Sequence, residues 1–405
     1  MLYWIFIPLV PWFQGFNIFR YSTFRAAFAA ILSFLIVIVC GPGVVAWLRR
    51  KKLAGCEGHD SAVLVEKRES KQAVPTMGGL LVLLSVAVST LLFCRLDNVY
   101  VVVLLLAFLA FGALGAIDDW SKVMGGRRGL GERAKLAGQT SIAVAALLVW
   151  YLHASGPDHV MRGPTLEKSP WVATSAVATL DIVAPGPIGP TDIAHPRADH
   201  RTDLQVPFFK HFCLDLGLLF LLFGALVVVG ASNAVNLTDG LDGLATGCVA
   251  ITALTFAVVA YLVGRVDTSS YLFVFHIPGA SELTVFLAAV GGAALGFLWF
   301  NGFPATVFMG DTGSLALGGA LGLAAVATRH ELTLLVAGGI FVAEAVSVIL
   351  QRRYFKLTNG KRLFRCAPLH HHYEFQGLHE VKVTVRFWIV SVLLALVALA
   401  LFKLR

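Results

Sequence analysis

Residues 212–264 read FCLDLGLLFLLFGALVVVGASNAVNLTDGLDGLATGCVAITALTFAVVAYLVG. The apolar runs over 212–231 and 243–264 are each about 20 residues long, the length a helix needs to cross a hydrocarbon core of roughly 30 Å. Between them NAVNLTDGLDGLA (233–245) sets Asn236, Asp239 and Asp242 among glycines. Carboxylates within or at the ends of membrane spans are costly, and several together mark a functional site.

The rest of the 405-residue chain has the same character. At 57% hydrophobic and 14% charged residues, it carries more apolar surface than one soluble core buries. Apolar runs recur at 24–48, 76–95, 98–117, 135–153, 212–231, 243–264, 283–301, 313–329, 331–351 and 384–403. They predict an all-α polytopic membrane protein of about ten transmembrane helices, a single integral-membrane domain over residues 1–405. The opening MLYWIFIPLVPWFQGFNIFR lacks a basic n-region and a small-residue cleavage site, so it is expected to lie at the interface rather than act as a signal peptide. Cys40, Cys56, Cys94, Cys213, Cys248 and Cys366 show no paired spacing, which argues against a disulfide framework or a zinc site.

The formal net charge of +8 does not indicate nucleic acid, because the cations gather in three connections: RRKK at 49–52, KVMGGRR at 122–128, and QRRYFK through KRLFR over 351–365. By the positive-inside rule these face the cytoplasm. Alternation of about ten helices then brings the 233–242 and 301–314 loops to that side and leaves both termini outside. The polar, proline-rich stretch 154–206 falls on the opposite side and is expected to be a tolerated insertion.

Asp118, Asp119, Asp239, Asp242 and Asp311 thus share one membrane face, in GAIDDWSK, NLTDGLDG and FMGDTGS. If their segment is helical, Asn236, Asp239 and Asp242, three apart, form one polar stripe. Asp118 and Asp119 are adjacent and hence about 100° apart on a helix, so one is expected to face the site while the other orients a neighbour. Lys71, Lys122, Lys135 and His370, His371 and His372 supply positive charge on the same side. Mg²⁺ with a phosphorylated substrate fits this mixture, because Mg²⁺ takes oxygen ligands and completes its shell with phosphate and water. Each piece has a blander reading: a solvated helix end for the acidic pair, loop punctuation for the glycines, an incidental metal-binding run for the histidines. Three acidic clusters on one face are hard to explain by structure alone.

These segments carry a resemblance. TFRA (23–26), PTMGG (75–79), GAIDDWSKV (115–123), NAVNLTDGLDGLA (233–245), FLWFNGFPATVFMGDTGSLALGG (297–319), EAVSVILQ (344–351) and APLHHHYE (367–374) occur in the order, and resemble the motifs, of the phospho-N-acetylmuramoyl-pentapeptide transferases. That is the bacterial translocase I family, within the polyprenyl-phosphate N-acetylhexosamine-1-phosphate transferase superfamily. The resemblance covers nearly the whole chain apart from the insertion. It implies a ten-helix fold in the bacterial inner membrane, a cytoplasmic-face active-site cleft, Mg²⁺ dependence and often a homodimer. The implied reaction joins UDP-N-acetylmuramoyl-pentapeptide to undecaprenyl phosphate, giving lipid I and UMP, the first membrane step of peptidoglycan synthesis. Asp311 is implied as the Mg²⁺ ligand, and Asp118 and Asp119 as the acidic pair at the reacting phosphates. Asn236, Asp239, Asp242, Lys71 and Phe308 resemble positions around the nucleotide, and Asn301 falls in the same block as Phe308. Lys122, Lys135 and His370, His371 and His372 resemble phosphate and substrate contacts. Val74 before PTMGG, and NGFPAT at 301–306, depart from the commoner pattern of the family.

PLHHHYE separates this type from sister transferases that move N-acetylglucosamine 1-phosphate onto the same lipid, which carry a different histidine-rich motif in the equivalent loop. A secondary transporter, the rival of another class, would show related halves and acids near the bilayer midplane. Here no internal repeat stands out. Glu344 and Gln351, seven apart, share a helix face that lines the cleft or packs between helices. Two chemical routes are open: direct attack by the lipid phosphate, or a carboxylate nucleophile forming an acyl-phosphate. A phosphate monoester with a second pKa near 6 is already largely dianionic at neutral pH and hardly needs a base, which favours the one-step route.

Overall fold

The computed structural model describes residues 1–51, 74–124, 129–153, 202–206 and 213–402. Lys71 and nearly all of the 154–206 insertion lie outside the described residues. Each of the ten apolar runs falls on helix: α1 Ser22–Arg50, α2 Gly79–Phe93, α3 Val99–Met124, α4 Glu132–His153, α5 Leu219–Thr238, α6 Leu244–Val263, α7 Leu283–Asn301, α8 Gly310–Ala327, the pair α9 Glu331–Ala337 and α10 Gly339–Leu357, and, after the short α11 Leu369–Glu374, α12 Glu380–Ala400.

Among the described residues seven of these helices are long and apolar enough to cross a membrane, or eight if α9 and α10, bent by 86°, make one span. The chain is therefore a polytopic integral membrane protein. Two of the ten runs fall short of that measure for different reasons. Helix α2 has 15 residues, about 22 Å of rise. Helix α8 opens on Gly310 and Asp311 and is interrupted by glycines, yet every residue from Asp311 to Ala327 is buried. A helix surrounded by other helices needs no lipid-facing hydropathy.

Helix α8 is the central post, packed against α3 and α5, while α7 packs against α1 and α6. Small residues make these approaches possible, as expected where dispersion rather than hydrophobic exclusion drives association in lipid. A Cβ on Gly79 would overlap the Gly313 backbone, and one on Gly115 the carbonyl of Asp311. These two glycines, from PTMGG and GAIDD, let α2 and α3 press onto the first turn of α8 and fix its height.

Far from that turn, at the other end of the bundle, Arg25 on α1 is 1% exposed. Its guanidinium donates to Glu282 Oε1 at 2.5 Å, to Glu282 Oε2 at 2.6 Å and to the Phe93 carbonyl at 3.1 Å, joining the ends of α1, α2 and α7. Breaking one side of a buried ion pair costs about 3–5 kcal/mol. Arg25→Met is therefore expected to lower the unfolding midpoint in detergent clearly while leaving activity per folded molecule near wild type; thermal unfolding and specific activity measured on one preparation check this. Residues 1–20 form short helical turns, pinned by the Met1 ammonium on the Leu91 carbonyl at 2.8 Å, with Trp4, Trp12 and Phe13 exposed.

Candidate active site

Helix α3 runs without interruption through Asp118, Asp119 and Lys122, so the 100° step between the two aspartates separates their partners. Asp119 points at the N-terminus of α8. Its carboxylate accepts the backbone N–H of Asp311 at 3.1 Å, that of Thr312 at 2.9 Å, and the Thr312 hydroxyl at 2.7 Å. These are N–H groups that a helix leaves unpaired in its first turn and that favour an anion. Asp118 turns instead toward the lysines and the turn that follows. Its Oδ1 accepts the Leu130 N–H at 2.6 Å, and its Oδ2 lies 3.0 Å from Lys122 Nζ and 3.3 Å from Lys135 Nζ.

Asp311 is the point of convergence. Its Oδ2 receives Lys122 Nζ at 2.8 Å and Lys135 Nζ at 2.6 Å, while its Oδ1 receives the Asn236 amide at 2.6 Å. Asn236 also donates to Ser314 Oγ at 2.8 Å. Lys122 from α3, Lys135 from α4 and Asn236 from α5 thus converge on one carboxylate of α8. Asp118, Asp119 and Asp311 are all buried. Formally their three negative charges exceed the two ammoniums, so the cluster keeps a demand for further positive charge.

Asp118 Oδ2 and Asp311 Oδ2 hold the same two cations between them, which is the disposition a divalent ion uses. Among the described residues no three His, Cys, Asp or Glu side chains form a full protein cage. Mg²⁺ does not require one, since it typically takes one or two carboxylates and fills its shell with phosphate oxygens and waters. The donor set fits that ion.

The 233–245 segment is not one helix, so the expected single stripe is corrected. Helix α5 ends at Thr238, Asp239 is its C-cap, and Gly243 adopts φ 73°. Asn236 therefore faces Asp311 from the helix, while Asp242 sits in the turn beyond. Asp242 Oδ2 accepts the Ala305 N–H at 2.9 Å, and its own N–H donates to Glu380 Oε1 at 2.9 Å. Asp239 is half-buried. Asn301 is a tie between loops: its Oδ1 accepts from Gly243 N at 3.2 Å and Thr246 Oγ1 at 2.8 Å, and its amide donates to the Val307 carbonyl at 3.0 Å. Asn301→Ala removes all three bonds, and is expected to loosen the 239–243 turn and raise the donor KM about 10-fold with a smaller fall in kcat, a split that steady-state kinetics measures.

Phe308 is half-buried and belongs to a short backbone pairing in which Phe308 N donates to the Pro75 carbonyl at 2.9 Å and Gly78 N to the Phe308 carbonyl at 2.8 Å. PTMGG is in this way laid beside FMGDTGS. The three histidines diverge rather than acting as one patch. His370 is buried; its backbone N–H donates to Glu344 Oε1 at 3.1 Å and its ring packs against Gly240. His371 Nδ1 meets Glu374 Oε2 at 2.7 Å. His372 Nδ1 accepts the Arg365 N–H at 3.1 Å. Of Glu344 and Gln351, left open between cleft and packing, Glu344 holds the first turn of α11 through His370 and Gln351 Oε1 accepts the N–H groups of Leu363 and Phe364 in the loop before it.

The sequence reading passed over Thr312 and Ser314, although both stand in GDTGS beside Asp311. It also passed over Gln139, Asn233 and Glu380, whose partners are more than 90 residues away and leave no local signature.

Residues 194–329 match the model of the family described as Glycosyl transferase family 4. With the helical bundle and its carboxylate-lysine cluster, this sets the class: a membrane-embedded transferase. Relatives named phospho-N-acetylmuramoyl-pentapeptide-transferase cover all of this chain and are themselves covered fully. The one from Solidesulfovibrio magneticus is 45% identical, that from Maridesulfovibrio salexigens 43%, and that from Maricaulis maris 45%. The chain belongs to the phospho-N-acetylmuramoyl-pentapeptide-transferase family.

Proposed function

We propose that this protein transfers phospho-N-acetylmuramoyl-pentapeptide from its UDP-linked donor to undecaprenyl phosphate, forming lipid I and releasing UMP, at a Mg²⁺-dependent site on the cytoplasmic face of the bacterial inner membrane. The observation that carries the reading is Asp311, with two ammoniums on one carboxylate oxygen and an amide on the other, in a chain of this family.

The reaction breaks the bond from the donor's β-phosphorus to the bridging oxygen that leaves with UMP, and forms one from that phosphorus to an oxygen of the lipid phosphate. Its barrier lies in bringing anions together and in stabilising charge on the transferring oxygens. Lys122 and Lys135 supply fixed positive charge where those phosphates meet. Asp311, with Asp118 beside it, would hold Mg²⁺, whose charge neutralises the phosphate oxygens. Asp119 holds the first turn of α8, and so Asp311, in place. The acceptor is already dianionic at neutral pH, so direct attack needs no protein nucleophile. Stoichiometric UMP release by enzyme freed of lipid phosphate would contradict the one-step route.

Orientation follows from the basic residues at the site's end of the bundle: Arg49 and Arg50 close α1, and Arg352, Arg353 and Lys356 lie on the last turns of α10. With α2, α8 and the broken α9–α10 pair counted as crossings, the bundle has ten spans and the cleft opens to the cytoplasm. Detergent-purified protein given donor, undecaprenyl phosphate and Mg²⁺ is expected to form an organic-soluble sugar-phosphate product, and excess chelator is expected to stop it. A product that forms equally well in chelator would remove the metal from the account.

A further inference from the structure

The groups that meet at Asp311 have counterparts one helical turn deeper. On α4, Gln139 lies four residues beyond Lys135; on α5, Ser232 lies four before Asn236, with Asn233 three before it; on α8, Leu315 lies four beyond Asp311. At a helical spacing of four, each lies directly beneath the residue of the site layer on its own helix. These deeper groups bond to one another. Asn233 Nδ2 donates to Gln139 Oε1 at 2.8 Å, and Gln139 Nε2 returns longer contacts to Asn233 Oδ1 at 3.4 Å and Ser232 Oγ at 3.5 Å. Ser232 Oγ donates to the Leu315 carbonyl at 3.0 Å. Gln139 and Ser232 are fully buried.

We infer that Gln139, Asn233 and Ser232 form a positioning layer for the transfer reaction, tying α4, α5 and α8 together one turn below the site so that Lys135 and Asn236 meet opposite oxygens of Asp311. The inference rests on the proposed transferase reading. Asp311 Oδ1 belongs to α5 through Asn236, and Oδ2 to α4 through Lys135. A slip of α4 against α5 therefore pulls the two ends of one carboxylate apart. The amide pair resists that slip, because its planes match in only one register and a buried amide left unpaired is costly. A displacement of about 1 Å at reacting groups can cost on the order of 100-fold in rate, so a weak tie far from the phosphates acts on turnover more than on binding.

The test uses the full chain in detergent and five variants, two of them the single replacements Gln139→Asn and Asn233→Gln. Gln139→Leu keeps the volume and removes both amide bonds; it is expected to lower kcat by roughly 10- to 100-fold with KM for donor and acceptor within about 3-fold. Ser232→Ala, which cuts the link to α8 and the long contact from Gln139 but leaves the amide pair, is a small change in volume and is expected to lower kcat several-fold, again with KM unchanged. The reciprocal exchange Gln139→Asn with Asn233→Gln rebuilds the pair across the same gap and is expected to recover most of the kcat that either single replacement loses. The inference is overturned if kcat per folded molecule stays at wild type in Ser232→Ala and Gln139→Leu, if the loss falls on KM alone, or if the exchange restores nothing. Wild-type protein in the same assay separates the two levels: without turnover there, the transferase reading fails and the inference falls with it.

Discussion

Asp311→Ala is expected to lower turnover by roughly 1,000-fold, about 4 kcal/mol of barrier, while the protein still folds and extracts from the membrane as wild type does. The side chain occupies the meeting point of Lys122, Lys135 and Asn236, so its removal takes away the group best placed for a divalent ion, while the two ammoniums keep Asp118 as their shared anion. The backbone of α8 is held separately, through Asp119, and does not depend on that side chain. The loss should therefore appear in kcat, followed as UMP release, with little change in the unfolding midpoint. Asp311→Asn keeps shape and one acceptor but not the charge, and is expected to behave almost as badly. Substantial metal-dependent turnover in either variant would show that the metal is held elsewhere.

Asp119→Ala is expected to differ in kind, costing roughly 100-fold in turnover and also destabilising the fold. Its carboxylate satisfies two backbone N–H groups and one hydroxyl at the buried start of α8. Hydrogen bonds to a charged acceptor contribute about 1.5–3 kcal/mol each, and their donors are left buried when the acceptor goes. A loss of about 3 kcal/mol or more is expected, together with a lower unfolding midpoint. Asp118→Ala should leave that midpoint nearer wild type, since Asp118 bonds ammoniums and the Leu130 N–H at the rim. Equal midpoints for the two alanine variants would contradict this division of labour between adjacent acids.

The contrast between Asp118 and Asp119 was legible in the sequence because it needs only helix geometry: α3 continues through both, and neighbours on a helix cannot point the same way. The helices were legible for a similar reason, since an apolar run of membrane length leaves little choice of conformation, although only seven or eight of them are long and apolar enough to count as spans by themselves. The polar turns were not. The spacing of Asn236, Asp239 and Asp242 suits a helix, but Gly240 and Gly243 end it, and the turn is then shaped by Asn301, Ala305 and Glu380 from distant segments. The surroundings of the histidine run were not legible either, for three adjacent residues on a short helix meet three different partners. Helix α8 shows the limit of hydropathy as a guide: it is buried along its length because of what surrounds it.

The most direct measurement follows UMP release from detergent-purified protein with undecaprenyl phosphate and Mg²⁺, offering UDP-N-acetylmuramoyl-pentapeptide and UDP-N-acetylglucosamine in parallel, with Asp311→Ala as the control. Turnover of the muramoyl donor alone, absent in the control, is the expected result. Turnover of the N-acetylglucosamine donor alone would keep the fold and the phosphate chemistry but contradict the donor assigned here, and turnover of neither would contradict the transferase itself.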